Sequence, residues 1–142
     1  MENQHRQIIL MIILSFLLNL LWEVAHSMLY NWNKLPLQNN VYFYVPRILS
    51  ATLGDLTILT LILIGVTLIN KNLKWINAPS KADYFVITLG AIVIAIIIEI
   101  RGVYFFGRWS YNEFMPTIFG IGLSPLVQLA ITTLIVIWLV RR

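Results

Sequence analysis

The sequence predicts an all-α fold, a four-helix transmembrane bundle with both termini cytoplasmic, and three observations predict it. Composition is the first. Of 142 residues, 59% are hydrophobic and 11% charged, with mean hydropathy +0.81; a soluble domain carries roughly 25% charged residues. The second is length. Four apolar runs, Ile8–Tyr30, Ile48–Ile69, Tyr84–Phe106 and Ile118–Val140, each hold 22 or 23 residues, and a helix needs about 20 to cross the hydrocarbon. The third is the placement of basic residues. Arg6, Lys71, Lys74, Lys81, Arg141 and Arg142 fall at the termini and middle loop, against Lys34, Arg47, Arg101 and Arg108 on the other side. Basic residues favour the cytoplasmic side, so loops one and three are expected to face outward. The whole chain, residues 1–142, is read as a single integral membrane domain.

Helix one opens after Arg6. Its apolar stretch before Glu23, with Ala25-His26-Ser27 behind it, also has the outline of a signal peptide. That stretch is at the limit of such a region, and Glu23 would sit just before the cut, so a retained span is expected. "NWNKLPLQNNVYFYVP" carries Asn, Gln and two prolines and reads as loop one. Helix two follows from Ile48. "NKNLKWINAPSKAD" is the short basic middle loop, where Ser80 and Asp83 form a capping-box pattern opening helix three. "GRWSYNEFMP" is aromatic and leads to helix four from Ile118. Trp32, Tyr42, Tyr44, Trp109 and Tyr111 read as aromatics of the outer interface belt, and Trp75 of the inner one.

Three of the six acidic residues, Glu23, Asp55 and Glu99, lie inside the spans. Each costs roughly 2.5–3.5 kcal/mol if left unpaired at mid-membrane. Each is seven residues from the outer end of its predicted span, about 10 Å deep at 1.5 Å per residue. Pro125 stands at the same depth on helix four. Asn19, Trp22, Glu23, His26 and Tyr30 share one helical face. Thr88, Ala91, Ala95, Glu99 and Gly102 form a small-residue stripe of the kind that lets membrane helices approach. Ser50, Ala51 and Gly54 flank Asp55. The pattern predicts a polar pocket in the outer half of the bundle. Glu23 and Glu99 are expected to handle protons, with His26 and Asp55 orienting them. Asn19, Trp22, Arg101, Gly122 and Gln128 are the expected substrate contacts. Arg101 is two residues beyond Glu99, about 200° around the helix; it either reaches a neighbouring groove or snorkels to the headgroups. Pro125 frees the carbonyl of Ile121 and is read as kinking helix four or as opening backbone to the cavity.

Three chemical readings stay open. Carboxylates in unlike environments beside His26 and Arg101 suit acid–base chemistry on an apolar substrate entering from lipid. Glu23-x-x-His26, completed by Asp55 and Glu99, has the residue types of a mononuclear metal site. Intramembrane acids also mark ion or proton paths, but the cytoplasmic halves of helices two and three offer only threonines. A structural alternative makes the acids and Arg101 interhelical salt-bridge glue. Cysteine is absent, which excludes a thiolate nucleophile and Cys-ligated metal. No nucleic-acid module, Gly-rich phosphate loop or Ser–His–Asp arrangement occurs, and no cofactor is specified. The expected partners are membrane lipid and a lipidic small molecule. A homo-oligomer stays open, but no lipid-facing small-residue stripe specifies one.

"NLLWEVAHSMLY", "LGD", "IIE" and "WSYNEFMPTIFGIGLSPLVQ" together resemble a family of small uncharacterised prokaryotic four-span membrane proteins. That resemblance implies a prokaryotic inner (plasma) membrane and no particular activity. "WSYNEF…GIGLSP" is also similar to the Trp-x-Tyr…Gly…Pro segment of membrane-embedded lycopene cyclases. Those enzymes carry paired carboxylates just after the proline, where this chain has Leu126, Val127 and Gln128. Helices one and three, each with a Glu seven residues from its outer end, suggest a two-plus-two parallel repeat.

Overall fold

Each apolar run forms one helix in the computed structural model, which describes residues 2–31 and 41–141. The helices are α1 (Glu2–His26), α2 (Val41–Asn70), α3 (Lys81–Glu99) and α4 (Leu123–Val140). All four are long and apolar enough to cross a membrane. The protein is therefore an all-α, four-helix membrane bundle. Trp32, Lys34 and Arg142 lie outside the described residues.

The bundle is inverted relative to a soluble one. On α1, Ser15, Asn19, Glu23 and His26 are buried, while Ile9, Ile13, Leu17, Leu21 and Val24 are exposed. Polar groups inside and Ile or Leu outside suit a lipid surround. The helices pack in a ring, α1 on α2 and α4, and α3 on α4 and α2. The small stripe of α3 works as expected: Ala91 is fully buried against Leu129 and Ala130 of α4.

The apolar core fills the end of the bundle nearest the middle loop. Met11, Val66, Ile87, Val136, Ile137 and Val140 meet there. Trp75 and Ile76 join them, because the 3₁₀ turn Leu73–Ile76 tucks inward. Trp75 is thus not an interface aromatic: it is buried, and its Nε1 donates to Thr67 Oγ1 at 3.0 Å. The capping box at α3 is present. Ser80 Oγ accepts from Asp83 N at 3.1 Å, and Asp83 Oδ2 accepts from Ser80 N at 2.7 Å. Asp83 also accepts from Asn70 Nδ2 at 2.7 Å, which ties the end of α2 to the start of α3.

The starts of α2 and α4 differ from expectation in ways that shape the cavity. α2 starts at Val41 and runs through Pro46. The proline sits in the second turn, where the missing N–H removes one hydrogen bond near a helix end that is under-bonded anyway. α4 starts at Leu123, not Ile118. Thr117–Ile118 (β1) and Ile121–Gly122 (β2) form a hairpin instead. Its two turn residues, Phe119 and Gly120, have φ of 52° and 79°, the left-handed pair a two-residue hairpin turn needs. Pro125 consequently falls in the first turn of α4, where its missing N–H has no partner to lose, so the helix is not kinked there.

α3 does not end as a plain α-helix. Ile100–Phe105 continue it as a π-helix, with Phe106 N donating to Arg101 O at 2.9 Å. This wider turn begins directly after Glu99. The chain then doubles back over the bundle end. Asn31 N donates to Ser110 O at 2.8 Å, Asn112 N to Leu29 O at 3.0 Å, and Tyr30 pairs with Tyr111.

Candidate functional site

A cavity of about 330 Å³ lies between the helices at the end away from the apolar core, lined by Glu23 and His26 of α1, Asp55 of α2, Glu99 of α3 and Gln128 of α4. The expected convergence of acids from separate helices is present. Pro125 lines the same cavity, so the fourth helix does place its irregular residue in that layer.

Gln128 is the hub. Its Nε2 donates to Asp55 Oδ2 at 2.7 Å, Glu23 Oε1 at 3.0 Å and Asn19 Oδ1 at 3.3 Å. One amide has two hydrogens for three acceptors. Thr132 Oγ1, 3.2 Å from Asn19 Oδ1, can supply the third. Gln128 thereby couples the two carboxyl groups of α1 and α2 to α4. Asn19 is fully buried and does not line the cavity; it holds Gln128 from behind.

The second oxygen of Glu23 faces His26, with Nε2 at 3.3 Å. His26 Nδ1 lies 3.1 Å from Ser124 Oγ, which accepts from Trp22 Nε1 at 3.2 Å. Indole N–H is a donor only. The chain is satisfied when Ser124 donates to Nδ1 and the Nε2 hydrogen points at Glu23. Trp22, an expected substrate contact, does not line the cavity; it is turned to α4 and acts through Ser124.

Glu99 is held separately. Trp109 Nε1 donates to its Oε2 at 3.1 Å, and the Tyr111 hydroxyl donates to the same oxygen. Oε1 has no hydrogen-bond partner among the described residues. Trp109 and Tyr111 are not belt aromatics, then, but the donors that fix Glu99. They stand two residues apart in the returning loop, where Tyr111 bridges to Tyr30. Gly102 makes the Trp109 contact possible, since the Trp109 ring fills the place a Cβ would take. Gly122 is not a cavity residue either. It lies under Tyr111 and Met115, where an added Cβ would come within 3.0 and 3.1 Å. Burial and the bond to Glu99 push the Tyr111 hydroxyl above its ordinary pKa, so it stays a neutral donor.

Arg101 resolves to the surface. It is exposed and stacks on Phe106, with 5.5 Å from its guanidinium carbon to the ring centroid. The cations at the cavity are Arg47 and Arg108, neither expected from sequence. Arg47 stacks on Trp109 at 4.9 Å, and Arg108 on Phe106 at 5.0 Å. Arg47 had a legible signal. Arg47, Ser50, Ala51, Gly54, Asp55 and Ile58 follow i, i+3, i+4, i+7, i+8, i+11, one helical face. Starting helix two at Ile48 cut Arg47 off from it.

The metal reading is not supported. Among the described residues no three His, Asp or Glu side chains are placed to hold an ion. Glu23 and His26 satisfy each other, while Glu99 is bound by Trp109 and Tyr111. The salt-bridge reading also fails in its stated form. Among the described residues Arg101 pairs with no acid, and the one charge-pair contact is His26 with Glu23. The chain matches no family profile, no curated protein and no solved structure.

Proposed function

We propose that this protein binds and processes a lipid or isoprenoid-like apolar substrate by acid–base chemistry, in a cavity in the outer half of a prokaryotic inner-membrane bundle whose termini are both cytoplasmic. The carrying observation is the cavity itself: carboxyl groups from three helices line one space whose other walls include Ile48, Ile58, Ala95 and Leu129.

Two carboxyl groups sharing one amide donor in low dielectric do not both carry charge, so the Glu23–Asp55 pair retains a proton. Asp55 is the half-buried member of that pair and Glu23 the buried one, so Asp55 presents the proton to the cavity. His26, ordered by Ser124, returns a proton through Glu23. Glu99 stands on α3 with Oε1 unbonded. A double bond protonated by Asp55 and deprotonated at a neighbouring carbon by Glu99 is shifted, with no net gain or loss of protons. Asp55 thus handles a proton itself, where the sequence reading gave it an orienting role beside Glu23 and Glu99.

Conduction is less well supported. Beyond Gln128 and Thr132 the bundle closes on Ile87, Val136 and Ile137, all fully buried. Thr57, Thr60 and Thr67 bond to carbonyls of their own helix.

The test is isotope exchange. Purified protein with its co-purified lipid, held in D2O, should move deuterium onto carbon of that lipid. Asp55→Asn and Glu99→Gln should each slow this by about 10²–10⁴-fold, the usual worth of a positioned acid or base. No deuterium on carbon with the native protein would overturn the reading.

A further inference from the structure

We infer that the cavity takes an amphiphile with a phosphate head group, held by the Arg47 and Arg108 guanidiniums, whose apolar chain leaves the bundle past Ser50 and Gly54 of α2. This rests on the cavity being a lipid site, as proposed above.

The two arginines are the starting point. Both line a cavity that also holds three acids, yet neither forms an ion pair among the described residues. None of the three acids bonds to either arginine among the described residues: Glu23 bonds His26 and Gln128, Asp55 bonds Gln128, and Glu99 bonds Trp109 and Tyr111 through one oxygen. Residues 32–40 contain no Asp or Glu, so loop one carries no carboxylate to pair with them. A half-buried guanidinium such as Arg47 loses hydration without gaining a counter-ion, an arrangement that calls for an anion from outside the chain.

Stacking leaves the donors free. A guanidinium lying on an aromatic face keeps its N–H edge available. Arg47 on Trp109 and Arg108 on Phe106 are both held in that way. One carboxylate is satisfied by a single bidentate arginine, whereas a phosphate has enough terminal oxygens for two. Two such arginines at one cavity therefore favour phosphate.

The cavity's size and edges supply the tail. About 330 Å³ is at the small end for a ligand site, so a long chain must extend outside. Ser50 and Gly54 line the cavity and are exposed on the bundle surface, so the cavity reaches the lipid side there. A Cβ added at Gly54 would meet nothing within 4 Å. Ile58, Ala95 and Ile98 give that exit an apolar wall.

The experiment uses full-length protein in micelles of dodecyl maltoside, which carries no phosphate, and three probes: dioleoyl phosphatidic acid, dioleoylglycerol and inorganic phosphate. Phosphatidic acid should bind at one per chain and more tightly than the other two. Arg47→Gln and Arg108→Gln should each weaken it at least tenfold. Arg101→Gln, an exposed arginine outside the cavity, should leave it unchanged, and Gly54→Leu should weaken it. Equal binding of dioleoylglycerol overturns the phosphate class, and equal binding of inorganic phosphate overturns the lipid source. An equal loss in Arg101→Gln overturns the assignment to this cavity. Deuterium exchange that persists when phosphatidic acid shows no preference leaves the acid–base function standing and removes only this inference. Preferred binding without exchange does the reverse.

Discussion

Gln128 has the largest single role in holding the cavity together, because one amide reaches three side chains on two other helices. Replacing it with Leu leaves Glu23, Asp55 and Asn19 short of donors in a buried layer. The expected cost is about 1–3 kcal/mol, read from thermal or denaturant unfolding in detergent; an unchanged midpoint would show that Gln128 is dispensable. Glu99→Gln differs. A Gln oxygen accepts from Trp109 and Tyr111 as before, so stability should hold or rise while exchange chemistry is lost. A marked loss of stability in both Glu23→Gln and Glu99→Gln would return the acids to a structural role. The Tyr111 hydroxyl is bound in its neutral form, with its pKa raised by burial and by the bond to Glu99. Its stabilising effect is complete below the ordinary phenol value and is lost as pH rises through the raised one. In a near-ultraviolet titration Tyr111→Phe should remove a late-ionising phenol, not an ordinary one.

At the scale of elements, the π-turn after Glu99 and the returning loop act as a unit. Gly102 lets the Trp109 ring lie against α3, and Trp109 then reaches Glu99. Gly102→Ala puts a methyl group where the ring lies. Overpacking of this kind costs about 1–3 kcal/mol, and the displaced indole should emit at longer wavelength. A variant with native stability and emission would show that the contact is not needed to place Trp109. The β1–β2 hairpin has a related function. It ends the returning loop and starts α4 at Leu123, which brings Ser124 and Gln128 level with His26 and Glu23.

For the whole molecule, four crossings require both ends of the chain to lie on one side. The basic middle loop lies on that same side, which the proposed function takes to be the cytoplasm because of the basic-residue bias. Cysteines at Asn72 and Asn112 should label from opposite faces of intact cells, with Asn112 reached by an impermeant reagent from outside. Labelling of both from one face would overturn the orientation and the outward cavity together. The division into an apolar half and a polar half also has an expected consequence. Polar substitution in the apolar half, such as Val136→Asn, should unfold the bundle more readily than loss of any one cavity acid.

The sequence by itself determined the number of helices, their apolar exteriors and the layer in which the acids meet. These depend on composition, length and the 3.6-residue period, which are local and additive. Glu23, His26, Asp55, Glu99 and Gln128 were legible because a polar residue in a lipid-crossing helix has few places to go. Tertiary structure decided the rest. That Trp109 and Tyr111 leave the interface to hold Glu99 depends on a loop folding back against the end of α1, a long-range contact with no local period. That Arg47 belongs to the cavity and Arg101 does not depends on α2 running through Pro46 and on where the π-turn leaves Arg101. That Trp75 is buried depends on the middle loop tucking into the core. In each case the residue type allowed two environments, and only the packing of distant segments chose between them.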